Sequence, residues 1–207
     1  KTKKQAVEVI GGELRSNSKI PCKTFNLSAW DCKTGGILAS IPGTICSECY
    51  ARRGHYAIYR ENHAPGYDKK LQNVDSIFWV DAMIKLIGND AHFRWFGSGD
   101  LQSLEMLEKI VIIARALPET LFWLPTHEPK FVKMWLNKHQ QEFPENLIIR
   151  ISAVYVDKPS KLPKSLGGHK NILTSTVHTA KTIGQECIAK DQGGECRDCR
   201  SCWNTEV

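Results

Sequence analysis

The sequence has 207 residues, a formal net charge of +6, and near-average apolar and charged contents of 42% and 24%. These values exclude a disordered, collagen-like or coiled-coil chain and suit one domain with a sizeable core. No apolar run is long enough to span a bilayer, and residues 6–10 are too short and too polar for a signal sequence, so we expect a cytoplasmic protein. In that reducing compartment the eight cysteines favour metal binding over disulfides.

Strands and helices alternate along the predicted structure, on the evidence of apolar spacing and of Pro and Gly positions. In chain order, the predicted elements are a strand (6–10), an extended loop (21–30), two helices (46–63 and 74–87), a strand (92–96), a helix (103–117), a strand (121–124), a helix (130–141) and two strands (147–152 and 171–176). This order predicts an α/β fold with a parallel sheet, either a partial (β/α) barrel or an open sheet.

We divide the chain into an α/β core at residues 1–180, which carries an N-terminal cysteine site, and a C-terminal cysteine-rich iron–sulfur segment at 181–207. The two parts are expected to form one compact unit. A chain of this length is short for a full eight-unit barrel, so we expect an open sheet or a partial barrel.

Polar residues recur just after the apolar strands, where the sites of parallel-sheet proteins lie. They predict a catalytic rim at the carboxyl ends of the strands. Its candidate members are Asp100, His127, Glu128, Ser152 and His178. The alternative is that these side chains only cap helices and form turns.

The C-terminal cysteines form the most specific pattern in the sequence. Cys196, Cys199 and Cys202 follow one another at two-residue intervals, and Cys187 precedes them. Three thiols in one short loop suit a compact [4Fe–4S] cluster, whereas a single zinc ion more often takes two CxxC pairs from separate segments. Zinc is therefore the alternative metal.

The N-terminal cysteines include Cys32, Cys46 and Cys49. Three thiolates on a four-iron cluster would leave one iron open to an exogenous ligand, which suits an enzyme, whereas Cys22 as a fourth ligand would close the cluster. We expect Cys22 to be an ordinary thiol, because it falls in the predicted loop at 21–30. Alternatively, Cys46 and Cys49 join the C-terminal cysteines in one shared centre.

A basic aromatic segment follows the N-terminal cysteines. On a continuous helix, Arg52, His55, Tyr56, Tyr59 and Arg60 would share a face suited to phosphates and bases, which predicts a nucleic-acid surface. The alternative is a solvated helix with half-buried tyrosines. The charge of +6 supports nucleic acid only mildly, because two four-thiolate metal centres would offset about four of those charges.

The run from Pro42 to Ala51, which contains Cys46 and Cys49, resembles a phage-borne family named after gene product eighty-eight. The similarity continues through Arg94 and Trp95, the stretches 98–103, 122–126 and 150–153, and the final cysteines with Trp203. A phage origin implies the host-cell cytoplasm as the location.

More distantly, the CxxC-Tyr-Ala segment followed by βα units resembles radical S-adenosylmethionine (SAM) enzymes. The matching positions are Cys32, Cys46 and Cys49, with thirteen residues between the first two cysteines where that family has three. This resemblance implies an iron–sulfur cluster, bound SAM and an electron donor.

Two hypotheses about function follow. The first is a phage-type iron–sulfur enzyme of radical-SAM-like character, with one or two [4Fe–4S] clusters and a substrate that the sequence does not identify. The alternative is a non-catalytic iron–sulfur or zinc protein that transfers electrons or binds nucleic acid or a host protein.

Overall fold

The structure, a computed structural model, describes residues 2–205, with Asn17 described by its backbone alone. Its α-helices are α1 (Lys3–Val9), α2 (Lys33–Leu38), α3 (Gly54–Ile58), α4 (Arg60–Asn73), α5 (Trp79–Ile87), α6 (Leu104–Ala116) and α7 (Pro129–His139). Its strands are β1 (Arg15–Asn17), β2 (Ile20–Phe25), β3 (His92–Trp95), β4 (Leu121–Thr126), β5 (Leu147–Ser152) and β6 (Ile172–Ser175). No helix in this part of the chain has the length and apolar character needed to cross a membrane.

The six strands form one open sheet in the order β1-β2-β3-β4-β5-β6. Strand β1 is antiparallel to β2, and each later neighbouring pair is parallel. The predicted α/β class and the four predicted neighbouring parallel strands are therefore confirmed. In a sheet whose parallel strands follow chain order, right-handed crossovers bring successive helices to the same face.

An aromatic core fills the face of the sheet that the helices cover. Phe25, Phe93, Trp95 and Phe122 project from β2, β3 and β4, and Trp79 of α5 packs edge-on against Phe25 at 5.5 Å between ring centroids. All five side chains are fully buried. Burying side chains of this size stabilises the fold by roughly 1.5–3 kcal/mol each.

The C-terminal segment covers the opposite face of the sheet. The Trp203 indole donates a hydrogen bond to the Phe93 carbonyl (2.9 Å) and contacts the rings of His92 and Trp123 edge-on. Arg150 of β5 donates to carbonyl oxygens of this segment. The cysteine-rich run is therefore packed against the strands as part of the same unit.

The structure corrects the beginning of the predicted element order. Residues 6–10, predicted as a strand, belong to α1 and its C-cap, where a reciprocal capping box joins Thr2 and Gln5. Ala6 and Ile10 are four residues apart and both fully buried, which fits one face of a helix. Much of the predicted loop at 21–30 is instead β2, paired with β3.

The predicted helix at 46–63 is interrupted. It consists of short 3₁₀ turns at Cys46–Glu48 and Tyr50–Arg52, then α3 and α4, with extended backbone at Cys49 and Arg53. Hydrogen bonds to the connection after β5 fix the start of this region, and such tertiary contacts override helix propensity. The predicted helix at 74–87 begins five residues later, at Trp79.

Lys70 of α4 is buried beneath β2 and predicts a pH-dependent stability. Its ammonium donates to the Glu13 carbonyl (2.6 Å) and lies 5.6 Å from the centroid of the Phe25 ring. Burial, helped by the charge of Arg15, lowers the pKa of Lys70 to about 8. Between that value and the pKa of about 10.5 in an unfolded chain, the unfolded state binds more protons, so Lys70 makes the unfolding free energy rise with pH.

We therefore expect the unfolding free energy of Lys70→Met, relative to that of the parent protein, to be higher at pH 7 than at pH 10. The difference between the two unfolding free energies should shrink by roughly 2 kcal/mol over that range. Urea unfolding at one-unit pH steps measures this difference, from which titrations common to both proteins cancel. A difference that does not vary with pH would show that Lys70 titrates normally.

Candidate metal centre

Three cysteines converge beyond the carboxyl ends of β2 and β3. Cys32 is the N-cap of α2, and Cys46 and Cys49 bracket a 3₁₀ turn in which the Cys49 amide donates to the Cys46 carbonyl (3.3 Å). A β-carbon placed on Gly35 of α2 would lie 3.4 Å from Cys46 Sγ and 3.8 Å from Cys32 Sγ. The glycine thus leaves room for both thiols. We call Cys32, Cys46 and Cys49 the N-terminal cysteine site.

Thr44 fixes the loop that carries Cys46. The Thr44 hydroxyl is fully buried, donates to the Leu38 carbonyl (2.7 Å) and accepts from the Ser47 amide (3.1 Å). The Ile45 amide donates to the Val154 carbonyl (2.9 Å), which ties the loop to the connection between β5 and β6. These bonds hold the turn in one position relative to the sheet.

The thiols of the N-terminal cysteine site influence one another electrostatically. The pKa of Cys46 is raised to about 11, mainly by burial and also by the charges of Cys49 and Asp100. Burial likewise raises the pKa of Cys32, with added contributions from Asp100, Cys49 and Cys46. Without a metal, Cys32 and Cys46 are protonated, unlike the low-pKa cysteines of nucleophilic enzymes. A bound metal would deprotonate its ligands.

Asp100 joins the ends of β3 and β4 next to this site. Its carboxylate accepts hydrogen bonds from the Thr126 hydroxyl (2.6 Å) and from the amides of Leu101 (2.7 Å) and His127 (2.9 Å). Burial raises the pKa of Asp100 to about 6 despite these bonds. Burial also lowers the pKa of His127, so its imidazole is neutral at physiological pH.

Glu128 connects the rim to the helix that begins at Cys32. Its Oε1 accepts from the Thr34 amide in the first turn of α2 (2.8 Å), where a carboxylate is favoured by the free amides. Its Oε2 lies 3.0 Å from the Lys130 ammonium. Three of the predicted rim residues, Asp100, His127 and Glu128, are thus placed together beside the N-terminal cysteine site.

The other two predicted rim residues belong to the ends of β5 and β6. The Ser175 hydroxyl donates to that of Ser152 at 3.4 Å, and His178 Nε2 lies 2.7 Å from the Thr176 hydroxyl. His178 Nδ1 is also 3.7 Å from Asp157. Their contacts are with their own connections, so they form a second polar group rather than an extension of the first.

A second group of thiols lies on the sheet face that the C-terminal segment covers. A charge on Cys187 raises the pKa of both Cys196 and Cys202, after the larger effect of burial, and Cys199 has the same effect on Cys196. We call Cys187, Cys196, Cys199 and Cys202 the C-terminal cysteine site. Cys22 of β2 lies beside it: burial raises the pKa of Cys22 to about 12, with a contribution from Cys196.

Arg94 of β3 lies between the two cysteine sites. Its guanidinium is stacked 4.2 Å from the centroid of the Trp123 ring. Its charge lowers the pKa of Cys22, Cys196 and Cys202, each of which burial raises, and it acts in the same way on Tyr50, next to Cys49. Within residues 2–205, the buried Arg94 Nε has no hydrogen-bond partner.

Neither site is arranged for a single bound ion. In the described part of the chain, no three His, Cys, Asp or Glu side chains form a group that could hold one metal ion.

The comparisons with known proteins give one result. A family model described as Gene product 88 matches residues 1–205. The chain belongs to the gene product 88 family. No curated protein and no solved structure matches it.

In this member of the gene product 88 family, the predicted nucleic-acid face is divided. The guanidiniums of Arg60 and Arg52 lie over the Trp30 ring, at 4.8 and 5.7 Å from its centroid. His55 and Tyr59 stack on each other at 5.8 Å. Because the backbone leaves the helix at Arg53 and changes direction at Tyr59, the five predicted residues do not share one continuous helix face.

Sequence reasoning missed three residues that shape these sites in the gene product 88 protein: Gly35, Thr44 and Arg94. Two signals were available. The pair Gly35-Gly36 is unusual inside a helix, and Arg94 is a charged residue within an apolar strand. Thr44 gives no sequence signal of comparable strength, since threonine is common in turns.

Proposed function

We propose that the chain is an iron–sulfur protein in which Cys32, Cys46 and Cys49 hold a [4Fe–4S] cluster with one open iron, and that it acts as a radical-SAM-like enzyme. The observation that carries the proposal is the convergence of these three thiols, without Cys22, beside the buried carboxyl groups of Asp100 and Glu128. Parallel-sheet enzymes place their chemistry at this edge of the sheet. The host-cell cytoplasm, a reducing compartment, is part of the proposal.

The site residues have distinct proposed roles. Cys32, Cys46 and Cys49 would hold the cluster, which, once reduced by an external one-electron donor, would supply the electron for the reductive cleavage of SAM. Asp100, held by three donors, orients the His127 main chain at the strand ends. Glu128 fixes α2 and with it Cys32. The neutral His127 imidazole can donate one hydrogen bond to a substrate and accept another.

A second candidate function is supported by the C-terminal cysteine site. A thiol group packed under Trp203, with Arg94 beside it, suits a cluster that transfers electrons without binding SAM. If both cysteine groups instead bound zinc, the protein would be a metal-stabilised binding module for nucleic acid or a host protein.

Anaerobic purification with iron and sulfide quantitation tests the proposal. We expect a brown protein whose reduced form has a paramagnetic resonance spectrum that changes when SAM is added. Cys46→Ser and Cys49→Ser should each lose about four iron atoms per chain and the response to SAM, because both effects need the same cluster. Arg115→Met, a change at an exposed side chain that keeps all eight thiols, is the control.

The alternatives predict other results. A colourless protein with stoichiometric zinc would overturn the iron–sulfur assignment. A brown protein whose spectrum SAM leaves unchanged would reject the enzymatic proposal and favour electron transfer.

A further inference from the structure

We infer that the second metal centre takes one ligand from the sheet itself: Cys22 of β2, together with Cys187, Cys196 and Cys202, while Cys199 stays outside. This inference rests on the proposed function only in that the chain binds iron–sulfur clusters. It differs from the pattern of the sequence, in which the evenly spaced Cys196, Cys199 and Cys202 form one ligand run.

The register of the sheet places Cys22 on the face that the C-terminal segment covers. Thr24 pairs with Arg94, and side chains two residues apart on a strand share a face, so Cys22 faces the same side as Arg94. The Cys196 amide donates to the Lys19 carbonyl (2.8 Å) in the turn that leads into β2. The backbone thus brings the C-terminal cysteines to the beginning of β2.

The surroundings of the two thiols distinguish Cys22 from Cys199. Cys22 lies on the strand face that carries Arg94, and Trp203, next to Cys202, packs on that face against Trp123, over which Arg94 is stacked. Cys187 is close enough to Cys196 and Cys202 to influence both thiols electrostatically. The Cys199 thiol lies 3.4 Å from the Ser201 hydroxyl, which also accepts from the Gln185 side chain.

Arg94 provides an independent indication of an acceptor at this position. Its Nε is buried and has no partner among residues 2–205, and an unpaired buried donor is costly. A cluster bound by four thiolates carries net negative charge and offers sulfur atoms as acceptors, which would satisfy both the charge and the donor. On binding, each of the four thiols loses one proton and forms one sulfur–iron bond.

Iron content after anaerobic reconstitution with ferrous iron and sulfide tests the inference. The starting protein is the full chain carrying Cys46→Ser and Cys49→Ser, in which iron reports on the second centre alone. We expect about four iron atoms per chain there, a loss of nearly all of them on adding Cys22→Ser, and full retention on adding Cys199→Ser. The two added changes are chemically identical, so each controls for the other.

Alkylation of the parent chain, with and without iron, tests the inference without relying on the folding of the variants. Cys22 should not react with iodoacetamide when iron is bound and should react slowly after chelation, as its raised pKa requires, whereas Cys199 should react rapidly in both states. Retained iron in the Cys22→Ser variant, or lost iron in the Cys199→Ser variant, would overturn the inference. If the starting protein held as much iron as the parent chain, the proposed N-terminal cluster would fail while the comparison of Cys22 and Cys199 stayed valid. An absence of iron from every protein would overturn both.

Discussion

For the proposed iron–sulfur cluster, Gly35→Ala is expected to remove most of the iron from the N-terminal cysteine site, whereas Gly36→Ala leaves the iron content unchanged. A β-carbon on Gly35 would lie 3.1 Å from Cys32 Cβ, so Cys32 must move by a few tenths of an ångström, and the added carbon would also touch Cys46 Sγ at 3.4 Å. On Gly36 the added carbon meets no atom within 4 Å. Displacement of a ligand by a few tenths of an ångström is enough to impair a metal site.

The stability of the metal-free proteins separates the two variants further. Alanine in place of glycine inside a helix favours the folded state by about 0.5–1 kcal/mol, which Gly36→Ala should show in full. For Gly35→Ala, overpacking by roughly 1–3 kcal/mol opposes that gain. Iron quantitation and urea unfolding measure the two effects. Equal iron contents in both variants would show that the thiols near Gly35 are not ligands.

Arg150→Met is expected to release the C-terminal segment from the sheet and to lower the unfolding free energy by about 3–5 kcal/mol. The buried guanidinium donates to the carbonyls of Cys202 (3.2 Å), Ser201 (3.0 Å) and Asn204 (2.9 Å). Methionine fills a similar volume but leaves these acceptors unpaired. Urea unfolding gives the free energy, and limited proteolysis should cleave within the last twenty residues of the variant first.

Two variants control for this result. Arg150→Lys keeps the charge but cannot reach all the carbonyls with one ammonium, so its loss should be intermediate. Arg115→Met removes an exposed guanidinium that contacts Gln141, and should change the unfolding free energy by less than about 0.5 kcal/mol. Equal unfolding midpoints for Arg150→Met and Arg115→Met would show that Arg150 does not hold the C-terminal segment on the sheet.

The strands from β3 to β6 could be predicted from sequence because each is a short apolar run followed by polar residues and then, for β3 and β4, a helix with clear periodicity. Strand β2 lacked that signal: Ile20–Phe25 contains Pro21, Cys22 and Lys23, and its identity depends on pairing with β3. The strand predicted at residues 6–10 was wrong because Val7, Val9 and Ile10 favour strands by propensity alone. Helix α1 forms there because Thr2 caps it and its Ala6 face is buried.

The sequence identifies the cysteines as candidate ligands, but it does not show which of them lie close together in space. Spacing along the chain identifies Cys46 with Cys49, and Cys196 with Cys202. It does not show that Cys22 lies near Cys196, because that proximity arises from sheet register and from the Lys19 turn. In the same way, the nearness of Asp100 to the N-terminal cysteine site depends on two connections of the sheet meeting at one edge.

The position of the C-terminal segment on the sheet sets an order of assembly during synthesis. The N-terminal cysteine site and the contacts that fix its loop, which extend to Val154, leave the ribosome before the last cysteines. Chains fold from the N-terminus as they emerge, so the first site can form while Trp123 and Arg94 are still uncovered. The second site must wait until residues 187–205 have emerged and reach β2 and β3. The two cysteine sites are therefore expected to form in two stages, the N-terminal site first and the C-terminal site once residues 187–205 have reached the sheet.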